Sequence, residues 1–349
     1  MVATSPEPVP GRTAGRRAVL LGAAGCCAAG LAGCSGGSGA PGGGVASGSA
    51  SRSASASGAP RTAASASAAA ALPAPAPWRP GAGEIQPAAK LAAVRVVEAL
   101  GTWPAGQGGA GRGAARVAAL GVPAADAARL AGETGGLTPA ADAAVVRVID
   151  AQYGGILTDS ASVLVVCSQA TRSGSTVRHG GTTVDVRLSR TSSGWRVTAL
   201  HPARPGPPTT PTGPARQVLA DPRIELPPAS AADVRSGRVH ATVLRAMLEL
   251  AGPYRISVSV VRSGHPLDVF GTDRPSDHPK GRAFDVWRVD GHRVVDPATS
   301  RALVTRFMRA AAAAGSYNVG GPVLLTGGAA GQFFSDATHH DHVHVGFDA

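Results

Sequence analysis

SDHPKGRAFD at residues 276–285 and HHDHVH at residues 339–344 are the two stretches that decide how the C-terminal part of this chain is interpreted. Of the ten histidines in the 349 residues, seven follow residue 264, and four of these fall in the second stretch. Each stretch leads into a run of Val, Ala and aromatic residues, which predicts strands at 281–289 and 343–347. Histidines and aspartates concentrated at the start of two strands indicate a metal site.

Alternation of side chains along a strand places His342 and His344 on one face. If this strand is a neighbour of the strand at 281–289, His278, Asp285 and His344 can converge on one metal ion. Two neutral imidazoles and one carboxylate leave a divalent ion with residual positive charge and an open position for water, as catalytic zinc sites require. The lack of a cysteine in this ligand set argues against a closed structural zinc site.

The two stretches resemble the motifs of a peptidase family. Ser-x-His-x-x-Gly-x-Ala-x-Asp, followed by acidic-x-x-His, is similar to the motif pair of zinc D-alanyl-D-alanine carboxypeptidases and L-alanyl-D-glutamate endopeptidases. These share a fold group with lysostaphin-like peptidases and the hedgehog signalling domain. The resemblance implies Zn2+ as cofactor and hydrolysis of amide bonds in peptidoglycan stem peptides, by a carboxypeptidase or an endopeptidase. It covers roughly 100 residues, from about Tyr254 to the end, and the matching residues are Ser276, His278, Gly281, Ala283, Asp285 and His344.

The resemblance also implies roles for single residues. The metal ligands are the positions matched by His278, Asp285 and His344. Asp341, three residues before the last ligand, takes the place of the general base. Related lineages carry His-x-His with the first histidine beside the reacting centre, which matches His342. Either His342 or Arg262 would stabilise the oxyanion.

The chain departs from the family pattern at two positions. Family members often carry Ser-Gly-Tyr-Arg-Ser before the ligand segment, whereas here Arg262 precedes Ser263 and Gly264. Val343 stands where an aromatic residue is often found. Two alternatives to an enzyme therefore stay open. One is a metal-containing lipoprotein that binds the cell wall without catalysis, and the other is a scaffold that acts through the domain at 85–202.

The N-terminus has the pattern of a bacterial export signal. Basic residues, among them Arg16 and Arg17, precede an uncharged stretch of about 16 residues, which is shorter than the roughly 20 residues of a membrane-spanning helix. The stretch ends in Leu-Ala-Gly-Cys at 31–34, similar to the lipobox of lipoproteins, and the two arginines resemble a twin-arginine signal. We expect a signal peptide at 1–33 and lipidation of Cys34, which would anchor the protein on the extracytoplasmic face of the membrane.

Composition divides the rest of the chain into a tether and two domains. Residues 34–84 are rich in Gly, Ser, Ala and Pro, and we expect them to be a disordered tether. Helical periodicity followed by alternating runs predicts a small α+β domain at 85–202, which resembles nuclear-transport-factor-2-like domains. A Pro-rich linker at 203–215 precedes an α+β domain at 216–349, for which the family resemblance implies a mainly antiparallel sheet with flanking helices. Within it we predict one helix at 231–250.

The net charge and the other histidines lead to further expectations about partners and structure. The net charge of +11 comes with no basic run and no basic–aromatic interleaving, so we expect no nucleic-acid partner. We expect a monomer whose partners are peptidoglycan peptides. His265 and His292 are interpreted as solvated loop residues. His339 and His340 are either partners of the metal ligands or polar residues that lead into the strand.

Overall fold

The computed structural model describes residues 71–348. The expected signal peptide at 1–33, the lipidation site Cys34 and most of the expected tether lie outside these residues. Between residues 71 and 348, no helix is both long and apolar enough to cross a membrane. The described residues belong to one compact unit and form two lobes, which we call the N-lobe (87–202) and the C-lobe (213–347).

The N-lobe consists of three helices and four strands. These are α1 (Pro87–Gly101), α2 (Ala110–Ala118), α3 (Ala124–Gly132), β1 (Ala143–Ile156), β2 (Ser160–Ser173), β3 (Thr176–Thr191) and β4 (Gly194–Pro202). The strands form an antiparallel meander in sequence order. Val163 and Val165 of β2 belong to a core with the helices, while Leu164 and Val166 of the same strand contact Val260 of the C-lobe. Because both faces of the sheet are covered, β2 is a continuous apolar run.

The C-lobe consists of four helices and seven strands. These are α4 (Gly213–Ala220), β5 (Ile224–Glu225), α5 (Pro228–Arg235), α6 (Ala241–Ala251), β6 (Ile256–Val258), β7 (Ala283–Val289), β8 (His292–Arg293), α7 (Arg301–Ala313), β9 (Asn318–Gly320), β10 (Phe333–Phe334) and β11 (Val343–Gly346). The strand order is β10-β9-β11-β7-β6-β5, with β8 paired to β7. The central pairs are antiparallel, and the outer pairs β10-β9 and β5-β6 are parallel. The described chain is therefore α+β, as the sequence predicts.

The core of the C-lobe fixes the strand that carries the central aspartate. Met247 and Leu250 of α6 and Phe307 of α7 form one buried cluster with Phe284 of β7. Burial of each such side chain stabilises the fold by about 1.5–3 kcal/mol. Because side chains alternate along a strand, this core turns Asp285 to the opposite face of the sheet.

Three segments differ from the sequence-based predictions. The segment at 231–250 is not one helix but parts of α5 and α6, separated by a turn in which Gly237 has a φ of 70°. Apolar periodicity continues across this turn because both helices pack on the same core. The linker at 203–215 contains the start of α4. The end of the expected tether is packed rather than free, since the side chain of Glu84 is only 1% exposed.

Candidate metal centre

The register of two neighbouring strands brings the predicted ligands together. β7 and β11 are antiparallel neighbours, and Asp285 lies directly opposite His344. His278 comes from the turn before β7, which is closed by a hydrogen bond from the Gly281 N–H to the His278 carbonyl. All three side chains are buried: His278 and Asp285 are 0% exposed, and His344 is 8% exposed. The fold thus gathers residues that are up to 66 positions apart.

The facing atoms of these side chains form a nearly equilateral triangle. His278 Nε2 lies 3.1 Å from both Asp285 Oδ1 and His344 Nδ1, and the last two atoms are 3.0 Å apart. Ligands of a tetrahedral zinc ion, each about 2.0–2.2 Å from the metal, lie about 3.3–3.5 Å from one another. The triangle is only slightly smaller than zinc requires.

Hydrogen bonds outside the triangle determine which atoms face inward. The Nδ1–H of His278 donates to the carbonyl of Val261 at 2.9 Å, so its Nε2 carries a lone pair. The side-chain amide of Gln152 in β1 donates to Asp285 Oδ2 at 2.6 Å, and Ser259 donates to the Gln152 amide oxygen. With His278 in its neutral form, its Nε2 and Asp285 Oδ1 are therefore two acceptors in contact. Such a contact is repulsive unless a cation or a proton lies between them, so these residues fit a metal ion.

The charge states of the triangle also suit metal ligands. Burial by itself would raise the pKa of Asp285, but the positive charge that His278 and His342 carry when protonated outweighs it and holds this pKa well below 3.8. Burial lowers the pKa of His344 to about 4, and its hydrogen bond to Asp285 offsets this only in part. Asp285 is therefore ionised and His344 is neutral at pH 7, as metal binding requires.

His342 lies at the edge of the triangle and is oriented by Asp341. Because a carboxylate only accepts, His342 Nδ1 donates to Asp341 Oδ1, at 2.6 Å, and His342 Nε2 lies 3.8 Å from Asp285 Oδ1. Asp341 Oδ2 accepts from Lys90 Nζ at 2.6 Å and from the Tyr153 N–H at 3.0 Å. The position of Asp341 thus differs from that of a base beside the metal. With both oxygens engaged, it contacts the centre through His342, and within the described residues it has no direct polar contact with the triangle.

Arg262 is turned away from the triangle. Its guanidinium lies 3.3 Å from Asp233 Oδ1 and donates to the carbonyls of Arg204 and Pro205 at 3.0 and 2.7 Å. Asp233 is 0% exposed, and a buried carboxylate needs a positive partner. Arg262 therefore lies in a different place from the one that oxyanion stabilisation at the triangle would need. Its contacts fasten the linker to α5, and none of those found between residues 71 and 348 reaches the triangle.

His265 lies beside the centre, so its interpretation as a solvated loop residue is wrong. Its ring stacks on that of His278, with the ring centroids 4.0 Å apart. Its metal-binding nitrogen lies within 4.8 Å of the corresponding atoms of His278 and Asp285. We keep His344 as the third ligand because its Nδ1 lies 3.1 Å from His278 Nε2 and 3.0 Å from Asp285 Oδ1. A single histidine in a loop carries no sequence signal for such a position.

The other two histidines of the second stretch have separate roles. His339 Nδ1 lies 2.8 Å from Asp336 Oδ1, and its ring centroid lies 5.2 Å from that of His342. His340 donates from Nε2 to the carbonyl of Gly83 at 3.1 Å. His339 therefore packs beside the centre, whereas His340 fastens the segment before α1 to the C-lobe.

A buried cluster of charges lies behind His342, where the lobes meet. Lys90 is 0% exposed and contacts Glu84 as well as Asp341. Arg293 of β8 lies 3.6 Å from Asp150 and 3.9 Å from Glu84. Three carboxylates thus share two cations, and residues from both lobes are needed to balance the charges.

Asp150 should give the stability of the protein a distinct pH dependence. Burial raises the pKa of Asp150 to about 6, against the attraction of Lys90 and Arg293 and with the support of Asp341 and Glu84. An unfolded chain has an aspartate pKa of about 3.9, so the folded state binds more protons between about pH 4 and 6. The free energy of unfolding therefore falls as the pH rises through this window.

Asp150→Asn should remove this part of the slope. Between pH 4 and pH 7, the free energy of unfolding of the variant should rise by roughly 2–3 kcal/mol relative to that of the wild type. Urea denaturation across this range measures the difference, with Asp159→Asn, an exposed aspartate between β1 and β2, as control. Parallel curves for the wild type and Asp150→Asn would show that Asp150 is not the origin of the slope.

The centre opens into a groove of about 750 Å3 that both lobes line. His278, His342 and His344 line it from the C-lobe, and residues 153–157 at the end of β1 form one wall. The lobes approach closely at Gly155, where an added Cβ would lie 2.1 Å from a side-chain atom of Phe270. The N-lobe therefore shapes the access to the centre.

The three ligand-type side chains can hold a zinc ion. The groove between the two lobes, with His342 beside the triangle, can hold a substrate carbonyl next to that ion. This arrangement is built from both lobes and from both of the stretches singled out in the sequence. The chain was compared with protein-family models, with curated proteins and with solved structures, and none of them matches it.

Proposed function

We propose that the protein is a zinc-dependent peptidase that hydrolyses amide bonds in peptidoglycan stem peptides. The observation that carries the proposal is the triangle of His278, Asp285 and His344, with His342 held beside it by Asp341. The motif resemblance suggests the substrate class. On this proposal the C-lobe has the fold of D-alanyl-D-alanine peptidases.

Amide hydrolysis needs a polarised carbonyl, a deprotonated water molecule and a protonated leaving amine. His278, Asp285 and His344 would hold the zinc ion, whose positive charge would polarise the carbonyl and lower the pKa of water. The chain supplies the proton carrier. His342 Nε2 accepts a proton from the attacking water and gives it to the leaving nitrogen as the C–N bond breaks. The products are a carboxylate and an amine.

His342 takes the place of Asp341 as the proton carrier in this proposal. The Nδ1–H of His342 is bound to Asp341, so Nε2, which faces the triangle, is the ring nitrogen left to exchange a proton. Asp341 itself is held by Lys90, His342 and a backbone N–H, and it therefore orients the imidazole instead of exchanging protons with water.

The enzyme would act at the bacterial cell envelope. Lipidation of Cys34 would hold it on the extracytoplasmic face of the bacterial membrane, and the residues that follow would let it reach the cell wall. A monomer is sufficient, because one chain contributes every residue of the centre. The N-lobe, which we propose is similar to nuclear-transport-factor-2-like domains, would form one wall of the substrate groove.

Release of amino groups from purified peptidoglycan tests the proposal. The full chain with one equivalent of zinc should release amines, and a chelator should stop the release. His342→Ala should lower the rate by about 100- to 10,000-fold, the range of a general acid–base catalyst, and should still bind zinc. His292→Ala, which removes an exposed imidazole on β8, is the matched control and should leave the rate unchanged.

Two other outcomes would overturn the peptidase. Binding of zinc and peptidoglycan without released amines would leave a metal-containing lipoprotein that binds the cell wall. The engagement of Asp341 by Lys90 and of Arg262 by Asp233 favours this second candidate, since neither side chain is free for the substrate. A chain that binds neither zinc nor peptidoglycan would leave a scaffold.

A further inference from the structure

We propose that Phe270 is a specificity-determining residue, which closes one end of the groove at the centre and so restricts the bound peptide to a chain that ends there. The role in substrate choice rests on the proposed function, whereas the closed end of the groove does not. Phe270 lies in the loop between β6 and β7, before the first motif residue, Ser276, and nothing in the motif resemblance involves it.

A second cavity lies between the lobes, next to the groove. It has a volume of about 940 Å3, compared with about 750 Å3 for the groove. Arg187 and Leu200 line it from the N-lobe, and Ser263 and Leu267 line it from the C-lobe. The residues that line both spaces are Leu157, His265, Val269 and Phe270. They therefore form the wall between the cavity and the groove.

The wall is built on the contact of Phe270 with Gly155 in β1. An added Cβ at Gly155 would lie within 2.5 Å of Cβ, Cγ and Cδ1 of Phe270, so this side chain covers the backbone of the strand. Gly155 is a strand residue without a positive φ, a backbone conformation that L-residues readily adopt. The close approach of Phe270, and not the backbone conformation, therefore requires glycine here.

Two further contacts hold the wall in place. The guanidinium carbon of Arg187 lies 5.3 Å from the centroid of the Phe270 ring, a cation–π contact, and three contacts of 2.8–2.9 Å with Asp185 fix this guanidinium. An added Cβ at Gly271 would lie 2.8 Å from Cδ1 of Leu157, so Leu157 packs against the backbone of the loop. Side chains of both lobes thus interlock at the wall.

The wall lies close enough to the centre to limit what binds there. His265, which lines both spaces, stacks on the metal ligand His278 with the ring centroids 4.0 Å apart. Because both spaces lie between the lobes, an extended chain that follows the cleft past the centre meets the wall. Packed side chains reject a chain that would have to pass through them. A peptide bound in this direction must therefore end at Phe270.

A purely structural role for Phe270 predicts something different. If the ring only holds the lobes together, its removal weakens the binding of every peptide alike. If the ring is a wall, its removal joins the groove to the second cavity and helps only those peptides that were too long. Selectivity between peptides of different length therefore separates the two roles.

The experiment compares the full chain with Phe270→Ala, Phe270→Leu and Gly155→Ala. Leu267→Ala is the matched control, because it shortens an apolar side chain of the same loop that is 74% exposed and does not line the groove. The probes are a linear stem pentapeptide and the same peptide with a triglycine extension at its amino end or at its carboxyl end. Calorimetry of the metal-free chain gives the Kd of each probe, and amine release by the zinc-loaded chain gives kcat/KM.

The wild type should bind one extended peptide about as tightly as the pentapeptide and the other at least about 10-fold more weakly, since a closed end rejects the longer chain. Phe270→Ala should largely remove this difference, with little change in the Kd of the pentapeptide. Gly155→Ala should do the same, because its added methyl group displaces the ring. Phe270→Leu, which keeps a large apolar side chain, and Leu267→Ala should retain the difference.

Equal affinity of the wild type for both extended peptides would overturn the proposal, and so would a difference that persists in Phe270→Ala. Equal weakening of all three probes in Phe270→Ala would leave the ring a structural role only. If Gly155→Ala does not fold, Phe270→Ala decides the matter alone.

The failure of the peptidase would look different from the failure of this proposal. A wild-type chain that binds the pentapeptide without releasing amines would defeat the proposed peptidase and would leave the comparison of Kd values to decide the role of Phe270. A chain that binds none of the probes would overturn both.

Discussion

Asp285→Asn should strongly weaken binding of the proposed zinc ion and leave the fold in place. Asparagine has the same shape as aspartate and can still accept the hydrogen bond from Gln152. It lacks the negative charge that makes the triangle attractive to a cation. Loss of a partner outside the ligand set lowers metal affinity by about 10- to 100-fold, so loss of a charged ligand should lower it by at least about 100-fold.

Zinc-dependent stability measures this effect without any substrate. At a zinc concentration of 100 times the wild-type Kd, binding should stabilise the wild type by about 2.7 kcal/mol. A variant that binds 100-fold more weakly gains only about 0.4 kcal/mol at the same concentration. Asp273→Asn, which changes an exposed aspartate in the loop before the ligand segment, should respond like the wild type. An equal gain for Asp285→Asn would contradict the ligand role.

The ligand triangle could be predicted from the sequence because each of its causes is local. The alternation of side chains sets the face of His344 on β11, and the core residue Phe284 sets the face of Asp285 on β7. Only the pairing of the two strands had to be assumed. Once that pairing exists, its register places the two side chains opposite each other.

The surroundings of the triangle depend on how the two lobes meet, and no local pattern encodes this. Two side chains of the N-lobe contact residues of the centre: Gln152 donates to Asp285, and Lys90 forms an ion pair with Asp341. The ion pair engages Asp341, which therefore is not in the position expected of a base beside the metal. One sign was visible in the sequence: Lys90 shares a helical face with Val94 and Val97, where a lysine is out of place. Arg262 gave no such sign, because its partner Asp233 lies in a helix that the apolar pattern merges with the next one.

Gly281→Ala should destabilise the protein by about 3–5 kcal/mol, because two costs add at this position. Gly281 has a φ of 74°, which costs an L-residue about 1–2 kcal/mol. An added Cβ would also lie 2.1 Å from the carbonyl oxygen of Arg238, in the turn that separates α5 from α6. The His240 N–H donates to the Gly281 carbonyl at 2.9 Å, so the two turns cannot move apart without losing a hydrogen bond.

Gly291→Ala separates the two costs, because Gly291 has a φ of 82° and open space where its Cβ would lie. Its free energy of unfolding, measured by urea denaturation, should be only about 1–2 kcal/mol lower than that of the wild type. Equal losses for the two variants would show that the contact with Arg238 is unimportant. The loss at Gly281 should also weaken zinc binding, since the Gly281 N–H closes the turn that presents His278. The break between α5 and α6, which apolar periodicity conceals, is therefore part of what holds the first ligand in position.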